Sequence, residues 1–163
     1  MDIITHYTLT FVLYSFIGYL CEVAYCSIGQ GHLVNRGFLY GPWLPIYGFG
    51  GLIVDIFLVP IAHYPIIVFI TAIILTSIVE YIGSWGLEKI FSIKLWDYSA
   101  HRFNINGRVC LLNSSLFGLM SMVLVYGAYP WIQKLFVIIP NMLAERLADL
   151  LRILFAVDLT LSV

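Results

Sequence analysis

The sequence predicts an all-α fold: a polytopic transmembrane helix bundle of four to five spans, with an ordered polar loop layer on one face. Composition is the first of three observations behind that expectation. Of the 163 residues, 61% are hydrophobic and 10% are charged, and mean hydropathy is +0.96. A soluble surface needs roughly 25% charged residues, which eight Lys+Arg and nine Asp+Glu do not supply. The second observation is a set of apolar stretches near the ~20 residues that cross a hydrocarbon core. The third is the gathering of polar residues into two connections. A net charge of −1 gives no basic field for nucleic acid and leaves the lipid bilayer as the expected partner.

The expected spans run from Thr5 to Ser27, Leu44 to Ile61, Ile66 to Glu88 and Val109 to Tyr129. The first lacks a basic leading region and a small-residue cleavage site, so it is expected to remain as a span. Gly29, Gly31, Gly37, Gly41 and Pro42 break helix in the first connection. His63-Tyr64-Pro65 is short enough to make spans two and three a tight antiparallel hairpin. The third connection, Lys89 to Arg108, is the long polar one, and loops of that length usually carry function.

Residues 1–130 thus form a four-span transmembrane core, and residues 131–163 an amphipathic or fifth transmembrane helix. Asn141 can cap that helix, with Glu145, Arg146, Asp149 and Arg152 on one face and Leu143, Leu147, Leu150, Leu151 and Leu154 opposite. With five spans, Arg36, Lys89, Lys94, Arg102 and Arg108 share one side against Lys134 and Arg146 on the other. The positive-inside rule then makes the polar loops cytoplasmic in the cell membrane, with the N-terminus outside.

An acid inside a bilayer costs about 2.5–3.5 kcal/mol at a helix centre, so it needs a partner, a proton or water. Glu22 lies late in the first span, and Glu80 and Glu88 late in the third, so all three approach the side carrying the polar loops. Glu80, Ser84 and Glu88 follow i, i+4, i+8 spacing and occupy one helix stripe. Arg36 and Arg108 are the expected counter-charges. With Asp97, Asn104 and Asn106 of the third connection, these residues form a candidate substrate or ion pathway. The same carboxylate–arginine network can equally staple loops onto a bundle. The four histidines are scattered and the three cysteines form no C-x-x-C pair, so neither a metal site nor a disulfide nor a cofactor is expected.

Several separated motifs carry a resemblance. They are Phe11-x-x-Tyr14-Ser15-Phe16-x-Gly18-x-x-x-Glu22, Asn35-Arg36-Gly37-Phe38-Leu39-x-Gly41-Pro42-x-x-Pro45-Ile46-Tyr47-Gly48, Glu80-Tyr81-x-x-Ser84-Trp85-x-Leu87-Glu88, and Trp96-Asp97-Tyr98-Ser99 through Asn104-x-x-Gly107-Arg108-Val109-Cys110. Together they resemble the bacterial ABC-transporter type IV, CmpB-like, small multi-pass membrane proteins. The resemblance covers about residues 10 to 120, while the last forty or so match loosely. It implies a transporter permease subunit. No G-x-x-x-x-G-K-[ST] sequence is present, so such a role implies a separate ATPase subunit, and the small size implies a homo-oligomer or a second membrane subunit. Two other readings stand beside it. One is an integral membrane enzyme acting on a lipid or amphipathic substrate, with a Glu or Asp97 as base and Arg36 or Arg108 as anion holder. The other is a structural or regulatory subunit.

Overall fold

The structure, a computed structural model, describes residues 1–33, 37, 39–92, 94 and 96–162. In chain order its elements are α1 (Ile3–Gln30), α2 (Pro45–Leu58) with a 3₁₀ turn (Val59–Ile61), α3 (Pro65–Phe91), a hairpin of β1 (Asn104–Ile105) and β2 (Val109–Cys110), α4 (Leu111–Ile138) and α5 (Asn141–Ser162). Among the described residues, α1, α3 and α4 are long and apolar enough to cross a membrane, and α2 is a shorter apolar helix.

Local chemistry sets these boundaries. Asp2 caps α1 by accepting from the Thr5 amide (2.7 Å) and hydroxyl (2.8 Å). At the other end Gly31, at φ 70°, donates its amide to the Ser27 carbonyl, the left-handed closure that glycine adopts without strain. Pro65 opens α3 and Ser92 closes it at φ 55°. A π-turn over Leu124–Ala128 interrupts α4. Hydroxyls within the apolar helices bond back along their own helix, Thr10 to His6, Thr76 to Ala72 and Ser121 to Phe117, so that each finds an acceptor without water.

The chain divides into two compact units, Met1–Leu52 with Ile132–Val163, and Ile53–Trp131. In the first, Leu9 of α1 packs on Ala144 and Ala148 of α5, with Phe136, Ile139 and Leu151 around them. Gly18 lies against Tyr47, Gly48 against Ser15 and Phe11, and Gly51 against Tyr14, leaving no room for a Cβ. Small residues in this way bring helices to close contact where apolar burial gives little drive. In the second unit Val54, Leu58, Val68, Ala72 and Val125 form the core. The Ser77 hydroxyl donates to Ser114 (2.7 Å), joining α3 to α4.

Asp158, on the apolar second half of α5, is buried, and its carboxylate fills a cradle in the first connection. It accepts from the Tyr40 amide (2.9 Å), the Gly41 amide (2.8 Å) and the Trp43 indole. Asp158→Ala strands these donors, so we expect a stability loss of about 1–3 kcal/mol, read as a lower melting temperature in detergent. Gly41→Ala should lower it too, because a Cβ there would come within 2.5 Å of the Trp43 ring and 2.7 Å of the Asp158 carboxylate.

Candidate functional site

In the second unit the i, i+4, i+8 stripe of α3 meets the loop that follows it. Helical geometry aligns Glu80, Ser84 and Glu88, and the loop folds back over them. Four side-chain bonds to α3 hold it there. The Tyr98 phenol donates to Glu80 Oε1 (3.0 Å), Arg108 Nη1 donates to Ser84 Oγ (3.1 Å), and Asn106 Nδ2 donates to the Tyr81 hydroxyl (2.9 Å). Arg108 Nη2 also pairs with Glu88, and the guanidinium lies 5.8 Å from the Tyr81 ring centroid.

The loop shapes itself for this task. The Tyr98 amide donates to the Gly107 carbonyl (2.8 Å), and the Trp96 indole donates to the Arg108 carbonyl (2.9 Å). Between β1 and β2, Asn106 and Gly107 turn the chain at positive φ, 54° and 67°. A Cβ on Gly107 would collide with Ser99 Oγ and Asp97 Oδ1, so glycine is required on both counts. Asn104 ties the turn by accepting from the Gly107 amide (3.0 Å) and donating to the His101 carbonyl (2.8 Å). Asp97 accepts from the Ser99 hydroxyl and amide and pairs with Lys94 at 2.9 Å. The Ser99 bonds foremost, with Lys94 beside them, hold the Asp97 carboxyl well below the usual carboxylate range.

Glu80 differs from the other acids. It is 5% exposed, and Oε2 is buried with no hydrogen-bond partner among the described residues. The cation expected beside it, Arg108, bonds instead to Ser84 and Glu88. Glu22 belongs to the other unit, where the Tyr47 phenol donates to Oε2 (2.7 Å) and the Cys26 thiol approaches Oε1 (3.7 Å). Arg36 lies outside the described residues. The structure therefore brings together Glu80, Ser84, Glu88, Arg108 and Asn106, while Asp97 and Asn104 shape the loop that covers them. Among the described residues no three His, Cys, Asp or Glu side chains converge on a point that would hold a metal.

Sequence reasoning, weighted toward charge, missed the phenols. Tyr47 and Tyr98 supply to Glu22 and Glu80 the polar contacts that arginines were expected to make. The signal was available in the Trp96-Asp97-Tyr98-Ser99 run, since a buried carboxylate needs a donor and a half-apolar phenol can bring one.

Fold and site together define a helical membrane protein with a loop-covered polar site on one of its long apolar helices. A family model described as "Putative ABC-transporter type IV" matches residues 9–163. The chain belongs to that family. The match continues through α5, well past the stretch that carries the quoted motifs. No curated protein and no solved structure matches the chain.

Burial, then the Glu80 charge, push the Tyr98 phenol well above its usual range. In the fold it stays protonated, whereas the unfolded chain releases that proton near pH 10. Above that pH the unfolded state binds fewer protons, so stability falls as pH rises. We expect melting temperature to decline at alkaline pH in the wild type, and the Tyr98→Phe variant, lower throughout, to decline less steeply.

Proposed function

We propose that the protein is a membrane-embedded permease subunit of an ABC-type transporter, with the polar site of α3 on the route of its solute or ion. Family membership supports the transporter class. The observation that carries the site is Glu80, a carboxyl group buried on a span-length helix, with one oxygen held by Tyr98 and the other without a partner. An intramembrane carboxyl without a counter-charge is costly to keep for packing alone, and such groups mark ion and solute pathways. Glu88, Ser84 and Arg108 extend the polar surface along α3, and Glu22 with Tyr47 offers a comparable group in the other unit. This sequence holds no ATP-binding motif, so in this reading nucleotide hydrolysis belongs to a separate subunit, and the permease works as a homo-oligomer or beside a second membrane subunit.

In this reading the helices form five spans, with the loops after α1 and α3 in the cytoplasm and the N-terminus outside. Five cations on those loops, against Lys134 and Arg146, support that orientation. Single cysteines at Ser92 and Lys134, in a background lacking the native thiols, should be labelled by an impermeant reagent from opposite sides of the membrane. Labelling of both from one side rules the topology out.

Glu80→Gln tests the site. The amide oxygen can still accept from Tyr98, so the structural cost should be small, on the order of 1 kcal/mol. We expect abundance and melting temperature near wild type, with transport in sealed vesicles reduced by tenfold or more, equivalent to about 1.4 kcal/mol. Wild-type transport by the variant defeats the proposal. A protein that fails to accumulate in the membrane points instead to a loop staple.

A further inference from the structure

We propose that the cleft between the His101–Phe103 turn and the first turn of α4 binds an anionic phospholipid, with its phosphate at Arg102 and His101 and an acyl chain along Phe103, Leu111 and Leu112. The cleft measures about 390 Å³ and is lined by these residues together with Ser115.

Charge argues for an anion. Arg102 is exposed and has no carboxylate partner among the described residues, and the acid of its own loop, Asp97, is paired with Lys94, as Glu88 of α3 is with Arg108. The turn therefore presents a net positive charge beside an apolar floor. A lipid with a net negative headgroup complements both parts, whereas a zwitterionic one matches only the floor.

Backbone strain argues for an acyl chain. Phe103 sits at φ 53°, a conformation costing a bulky residue about 1–2 kcal/mol, and its side chain is 79% exposed. The conformation is fixed locally: the Leu111 amide donates to the Phe103 carbonyl, and Asn104 donates to the carbonyl of His101. A phenyl ring held out by a strained backbone is unfavourable in water and favourable in an apolar phase. Leu111 and Leu112, both more than half exposed, continue the same surface.

Position agrees with both arguments. The apolar run of α4 begins at Leu111, directly after the polar loop, so these residues stand where headgroups meet hydrocarbon on a helix able to cross the bilayer. Cationic and aromatic side chains anchor proteins at that level.

The proposal is independent of the transport reading and is tested without a transport assay. The purified protein is melted in detergent micelles doped with phosphatidylglycerol, with phosphatidylcholine, or with inorganic phosphate at the same concentration. Phosphatidylglycerol should raise the melting temperature by several degrees and the other two should not, since a ligand of the folded state stabilises by mass action. Arg102→Gln should lose at least half of that shift while melting like the wild type in plain detergent, and Phe103→Ser should also lose part of it. Native mass spectrometry should show one retained phosphatidylglycerol on the wild type and less on Arg102→Gln. Equal shifts from the two lipids, or a full shift in Arg102→Gln, overturn the proposal. An equal shift from inorganic phosphate overturns it in favour of a small-anion site.

Discussion

A polar group removed from water must find its partner within the chain, and most of the local arrangement in this protein follows from that constraint. In the long apolar helices threonine and serine bond to carbonyls one turn back. Carboxyl groups have no such recourse, because they are acceptors when ionised and a helix offers its amides only at its first turn. The buried acids Glu80 and Asp158 and the half-buried Glu22 are therefore met by donors from elsewhere: Tyr98 for Glu80, the Tyr40–Trp43 segment for Asp158, and Tyr47 for Glu22. Two of these donors are phenols and one is an indole. Such side chains bring a donor on an apolar body, whereas lysine would bring a charge that itself needs solvation.

The loop after α3 is ordered by the same requirement. Tyr98 can reach Glu80, and Arg108 can reach Ser84 and Glu88, only if the chain between them folds into a fixed hairpin. Asn106 and Gly107 accept the positive φ angles that close it, and Asp97 and Asn104 bind the amides of Ser99 and Gly107. Several residues that carry no contact to α3 are thus needed for those that do. The Arg108–Glu88 pair is half exposed at its carboxylate end and contributes about 1 kcal/mol or less. Its value is geometric, since the planar guanidinium fixes the angle at which the loop meets the helix.

Among the acids of α3 only Glu80 is both buried and incompletely bonded, and this separates it from Glu88, whose charge is balanced and partly hydrated. An arrangement serving packing alone would be better satisfied by a hydroxyl or an apolar residue at that position. That asymmetry is why the proposed route is placed at Glu80 rather than spread evenly over the polar stripe.

Much of this was legible in the sequence because it depends on spacing alone. Apolar run lengths marked four spans, of which three fall on helices long and apolar enough to cross a membrane and the second on a shorter apolar helix; four-residue spacing put Glu80, Ser84 and Glu88 on one stripe, and Gly31 and Pro65 marked helix ends close to where they fall. Partner choice was a different matter. That Arg108 takes Glu88 and leaves Glu80 to a phenol depends on where the hairpin places two side chains ten residues apart. That Asp158 reaches the Tyr40 and Gly41 amides depends on contacts across 118 and 117 positions of the chain. Periodicity reports which residues share a face of one element. It carries no information about the donor that another element brings to that face, so the pairing of each buried acid was decided only by the tertiary structure.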